Sequence, residues 1–411
     1  QSTTFPRAMA VGATHNPKFA FEMAKVTALE GRALGVHQNY APDVDVNVNP
    51  KNPVINTRAF GDDVKLVTDM SVAFVKGTQD GGMIATVKHF PGHGDTDVDT
   101  HLGLSILNFP KERLQSLELP PYRETFQAGA VSVMVGHLSV PAYDTVVGIP
   151  ATVSPNVSTK LLKEEMQFSG LVVTDAMVME GVAAKYHPGE SAVLAIKAGA
   201  DLVLMPVNAN IAIDAIVAAV KRGEITEERM NQSVRKLLSV KQQMGLDVNR
   251  FVDVEKVADI VGAPRHQQLA MDIARHAVTV LGNKNNVLPL AKVDTMKILD
   301  IVISDTEDQA HGLLFHRLAR QRYRNITFAK IDPRSNRMEY DSVIASAKLA
   351  DKLLVQLHLY TRSGEMTGFV DSTQAQLAKT LATLGKPMIG VSWGNPYVAM
   401  DLPRFDAYVC A

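Results

Sequence analysis

The side chains best suited to proton transfer are concentrated in one short polar stretch, from Lys88 to His101. Asp99 and His101 form an Asp-x-His pair at its end, in which the carboxylate would raise the basicity of the imidazole and fix its tautomer. An imidazole held in this way can donate and accept a proton near neutral pH. Taken alone, the pair is also compatible with a solvated loop in which these residues meet by chance.

Lys88 and His89 end the apolar run that precedes this stretch. A lysine and a histidine at a strand end could hydrogen-bond a polyol, although a lysine that reaches solvent is the competing interpretation. Arg58 follows a long polar loop after an earlier predicted strand and is a further candidate binding residue. A surface salt bridge is the alternative role for this arginine.

Asp175 follows four consecutive apolar or β-branched residues, 171–174, that predict a buried strand. A carboxylate at the carboxyl end of such a strand occupies the catalytic rim of an α/β fold, where a nucleophile would lie. The alternative is an N-cap for the next helix, because aspartate is also favoured at that position.

A metal site is a third use for the polar stretch, with His89, His93, Asp95, Asp99 and His101 as candidate ligands. Their spacing does not match the helical His-x-x-x-His arrangement, and glycines flank His93. We therefore expect no metal and no other cofactor, while a metal-dependent hydrolase stays open as an alternative.

Alternating strands and helices in the first 245 residues are expected to position these side chains. Continuous apolar strands separated by helices predict a parallel sheet covered by helices. Residues 1–14 are predicted to be a loop, and 17–34 a helix. The predicted strands are 36–41, 83–88, 131–136, 171–174 and 201–205, and the later helices are 62–78, 110–127, 154–166, 190–198, 211–222 and 227–244.

The remaining chain predicts a linker over 246–276 and a second α/β domain over 277–411. Its predicted strands are 277–281, 296–303, 326–329, 352–358, 387–392 and 407–410, and its helices are 306–320, 335–349 and 372–384. The first series has five strands, whereas a closed (β/α)₈ barrel needs eight. We therefore expect the chain to begin inside a barrel and to end inside its second domain.

Composition and charge exclude several classes of partner. The 411 residues carry a net charge of −1, with 46% hydrophobic and 21% charged residues, which is typical of a globular protein and favours neither nucleic acid nor an anionic membrane. No apolar run is long enough for a transmembrane helix. The single cysteine, Cys410, excludes an internal disulfide. Nothing in the sequence indicates the oligomeric state.

Taken together, these residues resemble glycoside hydrolase family 3, and more narrowly its β-N-acetylglucosaminidase branch. The resemblance covers the whole chain and is strongest before residue 278. It rests on KHFPGHG at 88–94, DTH at 99–101, APDVD at 41–45, NPVINTR at 52–58, VTDAMVMEG at 173–181 and GADL at 199–202.

The resemblance implies a (β/α)₈ barrel followed by an α/β sandwich, and a role for each candidate residue. Asp175 matches the catalytic nucleophile of the family, His101 the acid/base of this branch, and Asp99 the carboxylate that pairs with this histidine. The residues that hold the sugar hydroxyls are matched by Arg58, Lys88 and His89.

The activity implied is retaining exo-hydrolysis of terminal N-acetylglucosamine from peptidoglycan fragments or chito-oligosaccharides, so the expected partner is a small carbohydrate. A neutral histidine base would repel an incoming anion less than a carboxylate does, so a phosphorylase is one alternative. A β-glucosidase of the same family is another. A non-catalytic sugar-binding module is the alternative from a different class.

Overall fold

The chain divides after His276 into two units, Gln1–His276 and Ala277–Ala411. The computed structural model describes residues 1–291, 295–362, 364–365 and 367–411.

The segment predicted as a linker, 246–276, folds with the first unit and carries two helices, Val254–Ile260 and Pro264–Ala277. Its anchor is His266, whose Nδ1 lies 2.8 Å from Oε1 of the buried Glu30. An imidazole and a carboxylate that pair away from water tie this segment to the first unit more firmly than a solvated linker would be tied.

The first unit is built on parallel strands. In chain order, these strands are β1 (Gln38–Asn39), β2 (Ile84–Phe90), β3 (Ser105–Ile106), β4 (Ser132–Val135), β5 (Leu138–Ser139) and β6 (Leu171–Thr174). One sheet contains β1, β2, β4 and β6 in that order, and β3 pairs separately with β5. Because all four main strands are parallel, their carboxyl ends lie along one edge, where an α/β fold carries its functional loops.

The predicted strand at 201–205 contributes a single parallel bridge, between Val173 and Leu202. The backbone turns at Met205, whose φ of 45° lies outside the β region, so this segment does not continue as a strand. Over the part of the chain that the structure describes, the sheet is open and the closed eight-stranded barrel is not seen. The observed class is therefore a mixed α/β fold with a parallel sheet.

Helices alternate with these strands, as the sequence predicts. They are α1 (Ala8–Ala13), α2 (Pro17–Ala33), α3 (Val64–Asp80), α4 (Lys111–Ser116), α5 (Pro120–Gln127), α6 (Glu180–Ala183), α7 (Pro188–Ala198), α8 (Ala209–Lys221), α9 (Glu227–Gln243), α10 (Val254–Ile260) and α11 (Pro264–Ala277). No helix among the described residues has the length and the apolar character that crossing a membrane requires.

Three helix predictions in the first unit differ from the structure, and in the second unit the helix predicted over 306–320 is observed over Leu313–Arg322. The helix α1 lies inside the segment predicted as a loop, and the predicted helix 110–127 is two helices. Residues 117–119 separate the two helices, and Pro120 and Pro121 begin the second one, because proline lacks the N–H that an α-helix needs in its interior but not in its first turn. The predicted helix 154–166 is a π-helix over Asn156–Glu165.

The core of the first unit lies between its sheet and the helices that cover it. Val87, Val133 and Val172 are fully buried on three neighbouring strands. Phe90 packs edge-on against Tyr122 of α5, with ring centroids 5.2 Å apart. This packing makes the end of β2 rigid, and that strand end carries Lys88 and His89.

The second unit is a six-stranded sheet with helices. Its strands are β7 (Thr279–Asn283), β8 (Ile298–Ser304), β9 (Ile326–Ile331), β10 (Lys352–His358), β11 (Met388–Ser392) and β12 (Ala407–Cys410), in the order β7-β12-β11-β10-β8-β9. Its helices are α12 (Leu313–Arg322), α13 (Arg337–Leu349) and α14 (Ser372–Ala382). Strands β8 to β12 are parallel and β7 is antiparallel to β12, so this unit has the doubly wound pattern expected from the sequence.

Candidate active site

Asp43 brings together two of the predicted binding residues. Its carboxylate lies 2.9 Å from Nε of Arg58 and 3.5 Å from Nζ of Lys88. Burial alone would raise the pKa of Asp43, but the positive charges of these two partners lower it below its usual range. The two cations are therefore held in place by one ionised carboxylate near the carboxyl end of β2.

Asp45 holds His89, the third predicted binding residue. Nδ1 of His89 lies 2.9 Å from Oδ2 of Asp45, and an Arg58 guanidinium nitrogen lies 3.4 Å from Nε2. Because arginine only donates, Nε2 must accept, and the ring proton is on Nδ1 and is donated to Asp45. Oδ1 of Asp45 also accepts the backbone N–H of His93 at 2.7 Å. The two aspartates thus order all three predicted sugar-binding residues.

Asp175 lies at the carboxyl end of β6, in the next strand but one from β2. Its backbone N–H donates to the carbonyl of Val135 on β4 at 2.9 Å, and its Oδ1 accepts the N–H of Ala176 at 2.8 Å. Burial would raise the pKa of this carboxyl, but His89, His137 and Lys88 help to lower it below its usual range. Asp175 is therefore an ionised carboxylate that shares its surroundings with the predicted binding residues.

His137, which the sequence analysis did not identify, supports the backbone beside Asp175. Nε2 of this fully buried ring donates to the carbonyl of Ala176 at 3.0 Å, and Nδ1 accepts from the hydroxyl of Thr152 at 2.8 Å. Burial lowers the pKa of His137, so the ring is neutral near pH 7. The sequence feature that could have identified His137 is its position two residues after β4, because His89 lies at the corresponding end of the adjacent strand β2.

Asp99 and His101 form the predicted dyad. Nδ1 of His101 lies 2.7 Å from Oδ1 of Asp99, which also accepts the backbone N–H of His101 at 2.9 Å. The aspartate side chain is 1% exposed and the histidine side chain 38% exposed. The carboxylate is thus buried behind the ring, and the imidazole presents its other nitrogen, Nε2, on the exposed side of the pair.

The dyad and Asp175 act on common neighbours. The charges of Asp175 and of His101 both influence the pKa of His137, and the charge of Asp175 also influences that of His93. The backbone N–H of Gly181, six residues after Asp175, also donates to the carbonyl of Thr100 at 3.2 Å. The structure therefore packs the loop of Asp99 and His101 against the segment that follows Asp175, at the edge of the sheet where β2 ends with Lys88 and His89.

The five candidate metal ligands do not form one group of neighbouring ligand atoms among the described residues. Asp95 instead pairs with Arg113, at 2.8 Å between a carboxylate oxygen and a guanidinium nitrogen. Among the described residues, the group whose ligand atoms lie within 4.8 Å of one another is Asp43, Asp45 and His89. Its carboxylates already face Arg58 and Lys88, whose charges would repel a metal cation.

Comparison with known proteins identifies the family of the chain. The family model described as the glycosyl hydrolase family 3 N terminal domain matches residues 1–240. The beta-hexosaminidase A of Pseudoalteromonas piscicida is 30% identical over 330 residues, which are 75% of this chain and 54% of that protein. The beta-N-acetylglucosaminidase/beta-glucosidase of Cellulomonas fimi is 31% identical over 299 residues, 71% of this chain and 53% of that protein.

A solved structure gives the same result. The glycoside hydrolase family 3 beta-N-acetylglucosaminidase from Paenibacillus sp. str. FPU-7 superposes with a TM-score of 0.87 at 31% identity, covering 100% of this chain and 78% of that one. The chain spans about half the length of the curated relatives it matches. Because the family model accounts for more than half of the residues, the chain belongs to glycosyl hydrolase family 3.

Proposed function

We propose that this protein is a retaining exo-β-N-acetylglucosaminidase that removes terminal N-acetylglucosamine from peptidoglycan fragments or chito-oligosaccharides. The observation that carries the proposal is the Asp99–His101 pair, with 2.7 Å between its carboxylate and ring nitrogen, in the same site as the ionised Asp175. The names of the relatives from Pseudoalteromonas piscicida, Cellulomonas fimi and Paenibacillus support the same activity.

The reaction proceeds by two displacements at the anomeric carbon. A carboxylate oxygen of Asp175 attacks this carbon while the bond to the glycosidic oxygen breaks, and protonated His101 gives its proton to the departing oxygen. His101 then takes a proton from water, whose oxygen attacks the same carbon and releases Asp175. Asp99 holds the ring nitrogen that does not react, so the tautomer is set for transfer at Nε2.

The free oxygen of Asp175 is the attacking atom in this scheme. Oδ1 already accepts the N–H of Ala176 at 2.8 Å, which leaves Oδ2 for the anomeric carbon. The lowered pKa of the carboxyl keeps the nucleophile ionised near neutral pH, as attack on the anomeric carbon requires.

Arg58, Lys88 and His89 bind the hydroxyl groups of the sugar. Asp43 and Asp45 fix their positions before substrate arrives, so little side-chain freedom is lost on binding. No cofactor takes part in this scheme.

The parallel sheet of the first unit forms part of a (β/α)₈ barrel in the whole protein, with residues 1–245 in the barrel, 246–276 folded with the first unit and 277–411 in the α/β sandwich. Four parallel strands with intervening helices, and a fifth segment that bridges β6 at Leu202, support this assignment. The match of residues 1–240 to the N-terminal domain of the family supports it as well.

Hydrolysis of paired aryl glycosides tests the activity. The protein is expected to cleave an aryl N-acetylglucosaminide faster than the corresponding aryl glucoside, and Asp175→Asn and His101→Ala are each expected to lower kcat/KM at least ~100-fold. Asp69→Asn on α3 and His276→Ala on α11 are the matched controls, since neither lies in the site. Turnover within a few-fold of wild type in both site variants would refute the assignment.

Product analysis separates the alternatives. A β-glucosidase, an activity that the Cellulomonas fimi relative also carries in its name, would favour the aryl glucoside. A phosphorylase would release the sugar 1-phosphate when inorganic phosphate is added, because a histidine base repels phosphate less than a carboxylate does. Sugar binding without turnover would indicate a non-catalytic module, and activity lost on chelation a metal-dependent hydrolase.

A further inference from the structure

Thr100, which lies between Asp99 and His101, is held from two sides. Its hydroxyl lies 3.1 Å from Nε2 of His93, and its carbonyl accepts the backbone N–H of Gly181 at 3.2 Å. Thr100 and His93 are both 1% exposed. Neither contact therefore competes with solvent.

The direction of the hydrogen bond between Thr100 and His93 follows from a third residue. The hydroxyl of Thr96 donates to the carbonyl of His93 at 3.1 Å, so its oxygen must accept from Nδ1 of His93 at 2.6 Å. Nδ1 therefore carries the ring proton, and Nε2 offers a lone pair to the hydroxyl of Thr100. Burial lowers the pKa of His93 to about 4, so the ring is neutral at pH 7 and keeps one nitrogen as an acceptor.

The second contact connects the dyad loop with the segment that follows Asp175. Gly181 lies six residues after that aspartate. A Cβ added to Gly181 would lie 3.2 Å from the carbonyl oxygen of Thr100 and 3.1 Å from Cβ of His137. This close approach shows that the two loops pack directly on each other. Thr100 is therefore the residue through which the loop of His101 is positioned against the segment of Asp175.

We propose that Thr100 and His93 are positioning residues, which hold the backbone at 99–101 so that Nε2 of His101 meets the glycosidic oxygen. The inference rests on the proposed function, because it assigns His101 the role of proton donor. Neither residue touches the substrate. Their removal slows the step in which the leaving group must be protonated and spares the attack by Asp175.

A series of aryl N-acetylglucosaminides with different leaving groups tests this role in the full-length enzyme. A phenyl leaving group needs a proton and a dinitrophenyl group does not, so only the first depends on His101. Thr100→Val, which keeps the shape and removes the hydroxyl, is expected to lose about tenfold in kcat/KM toward the phenyl substrate and less than about threefold toward the dinitrophenyl substrate. Thr100→Ser is expected to restore both values.

His93→Phe is the second variant, because it keeps a ring in the buried space and removes the acceptor. The same selective loss is expected, and melting curves identify the fully folded preparations on which rates are compared. Thr78→Val on α3 is the matched control, since it deletes a buried hydroxyl that bonds only within its helix, to Phe74. It is expected to leave the dependence on leaving group as in wild type.

His101→Ala is the reference that separates two kinds of failure. If its rates fall steeply with poorer leaving groups while Thr100→Val and His93→Phe parallel wild type, or lose equally on both substrates, the positioning role is overturned and the proposed function stands. If His101→Ala itself shows no such dependence, the proton-donor assignment fails, and the inference fails with it.

Discussion

The imidazole of His89 and the carboxylate of Asp45 form a pair with 2.9 Å between Nδ1 and Oδ2, and at most 6% of either side chain is exposed. The two residues come from different segments of the chain, 44 positions apart. Their pairing turns the histidine at the end of β2 into a group with a fixed tautomer, whose second nitrogen faces Arg58.

Substitution Asp45→Asn is expected to weaken substrate binding without removing the nucleophile. The amide accepts the hydrogen bonds from Nδ1 of His89 and from the backbone N–H of His93 less well than the carboxylate does, so kcat/KM should fall about 10- to 100-fold, mainly through KM. Steady-state kinetics with an aryl N-acetylglucosaminide measure both constants. Asp69→Asn, on the exposed side of α3, is the control, and equal effects of the two substitutions would contradict the role given to Asp45.

The acid limb of the pH profile of kcat/KM should lie below the ordinary pKa of an aspartate. The carboxylate of Asp175 must be ionised to attack, and although burial would raise its pKa, His89, His137 and Lys88 help to bring it below its usual range. Activity is therefore retained as the pH falls toward the ordinary pKa of an aspartate. It is lost only when the pH falls through the lowered pKa of Asp175. Lys88→Met should move this limb to higher pH.

Lys65→Met serves as the control for that profile, because Lys65 is an exposed residue of α3 that pairs with Asp69. Its limb should coincide with that of the wild type. An acid limb that does not move in Lys88→Met would show that the charge of this lysine does not act on the nucleophile.

Glu30 should make the stability of the first unit depend on pH. Its carboxylate accepts from the backbone N–H of Thr3 at 2.9 Å and of Gly262 at 3.0 Å, and pairs with His266. Burial would raise the pKa of Glu30, but these partners, Thr3 foremost, bring it below its usual value. The stabilisation is therefore present above the unfolded-state pKa and is lost as the pH falls through the lower folded-state pKa.

Glu30→Gln tests this prediction in urea denaturation followed from pH 7 downward. At pH 7 the substitution should destabilise the first unit by about 1–3 kcal/mol, and the difference from wild type should shrink at low pH. Glu22→Gln on the same helix is the control, with an expected change within about 0.5 kcal/mol. A difference that stays constant with pH would show that the ionised form is not what stabilises this contact.

Gly94→Ala should displace the loop that carries the dyad. A Cβ at this position would lie 1.9 Å from the carbonyl oxygen of Val46, and backbone atoms cannot yield as a flexible side chain can. We expect loss of most activity and a destabilisation of about 1–3 kcal/mol. Gly282 on β7 has no other group within 4 Å of an added Cβ, so Gly282→Ala should leave the melting temperature and the activity unchanged. An active, equally stable Gly94→Ala would contradict the packing described for this loop.

Local patterns in the sequence were sufficient for the strands that carry the site. The strand over 171–174 was predicted with its observed bounds, because it is a continuous apolar run. The helix that begins at residue 17 was predicted with its observed start, because the Asn-Pro cap is a signal from two neighbouring residues. The prediction of a strand at 201–205 was wrong, because Met205 has a positive φ that reverses the backbone and that apolar character does not indicate.

The sequence by itself determined the residue types and their order: a dyad two positions apart, a lysine and a histidine at one strand end, and an aspartate at another. Only the tertiary structure decided which neighbouring groups determine the protonation states of these residues. Asp43, Asp45 and His137 were not identified as site residues, since each acts on a partner 15 to 48 positions away. Parallel strands place residues that are distant in the chain side by side. The electrostatic interactions that determine their protonation states depend on the distances between them in space, which the sequence does not show.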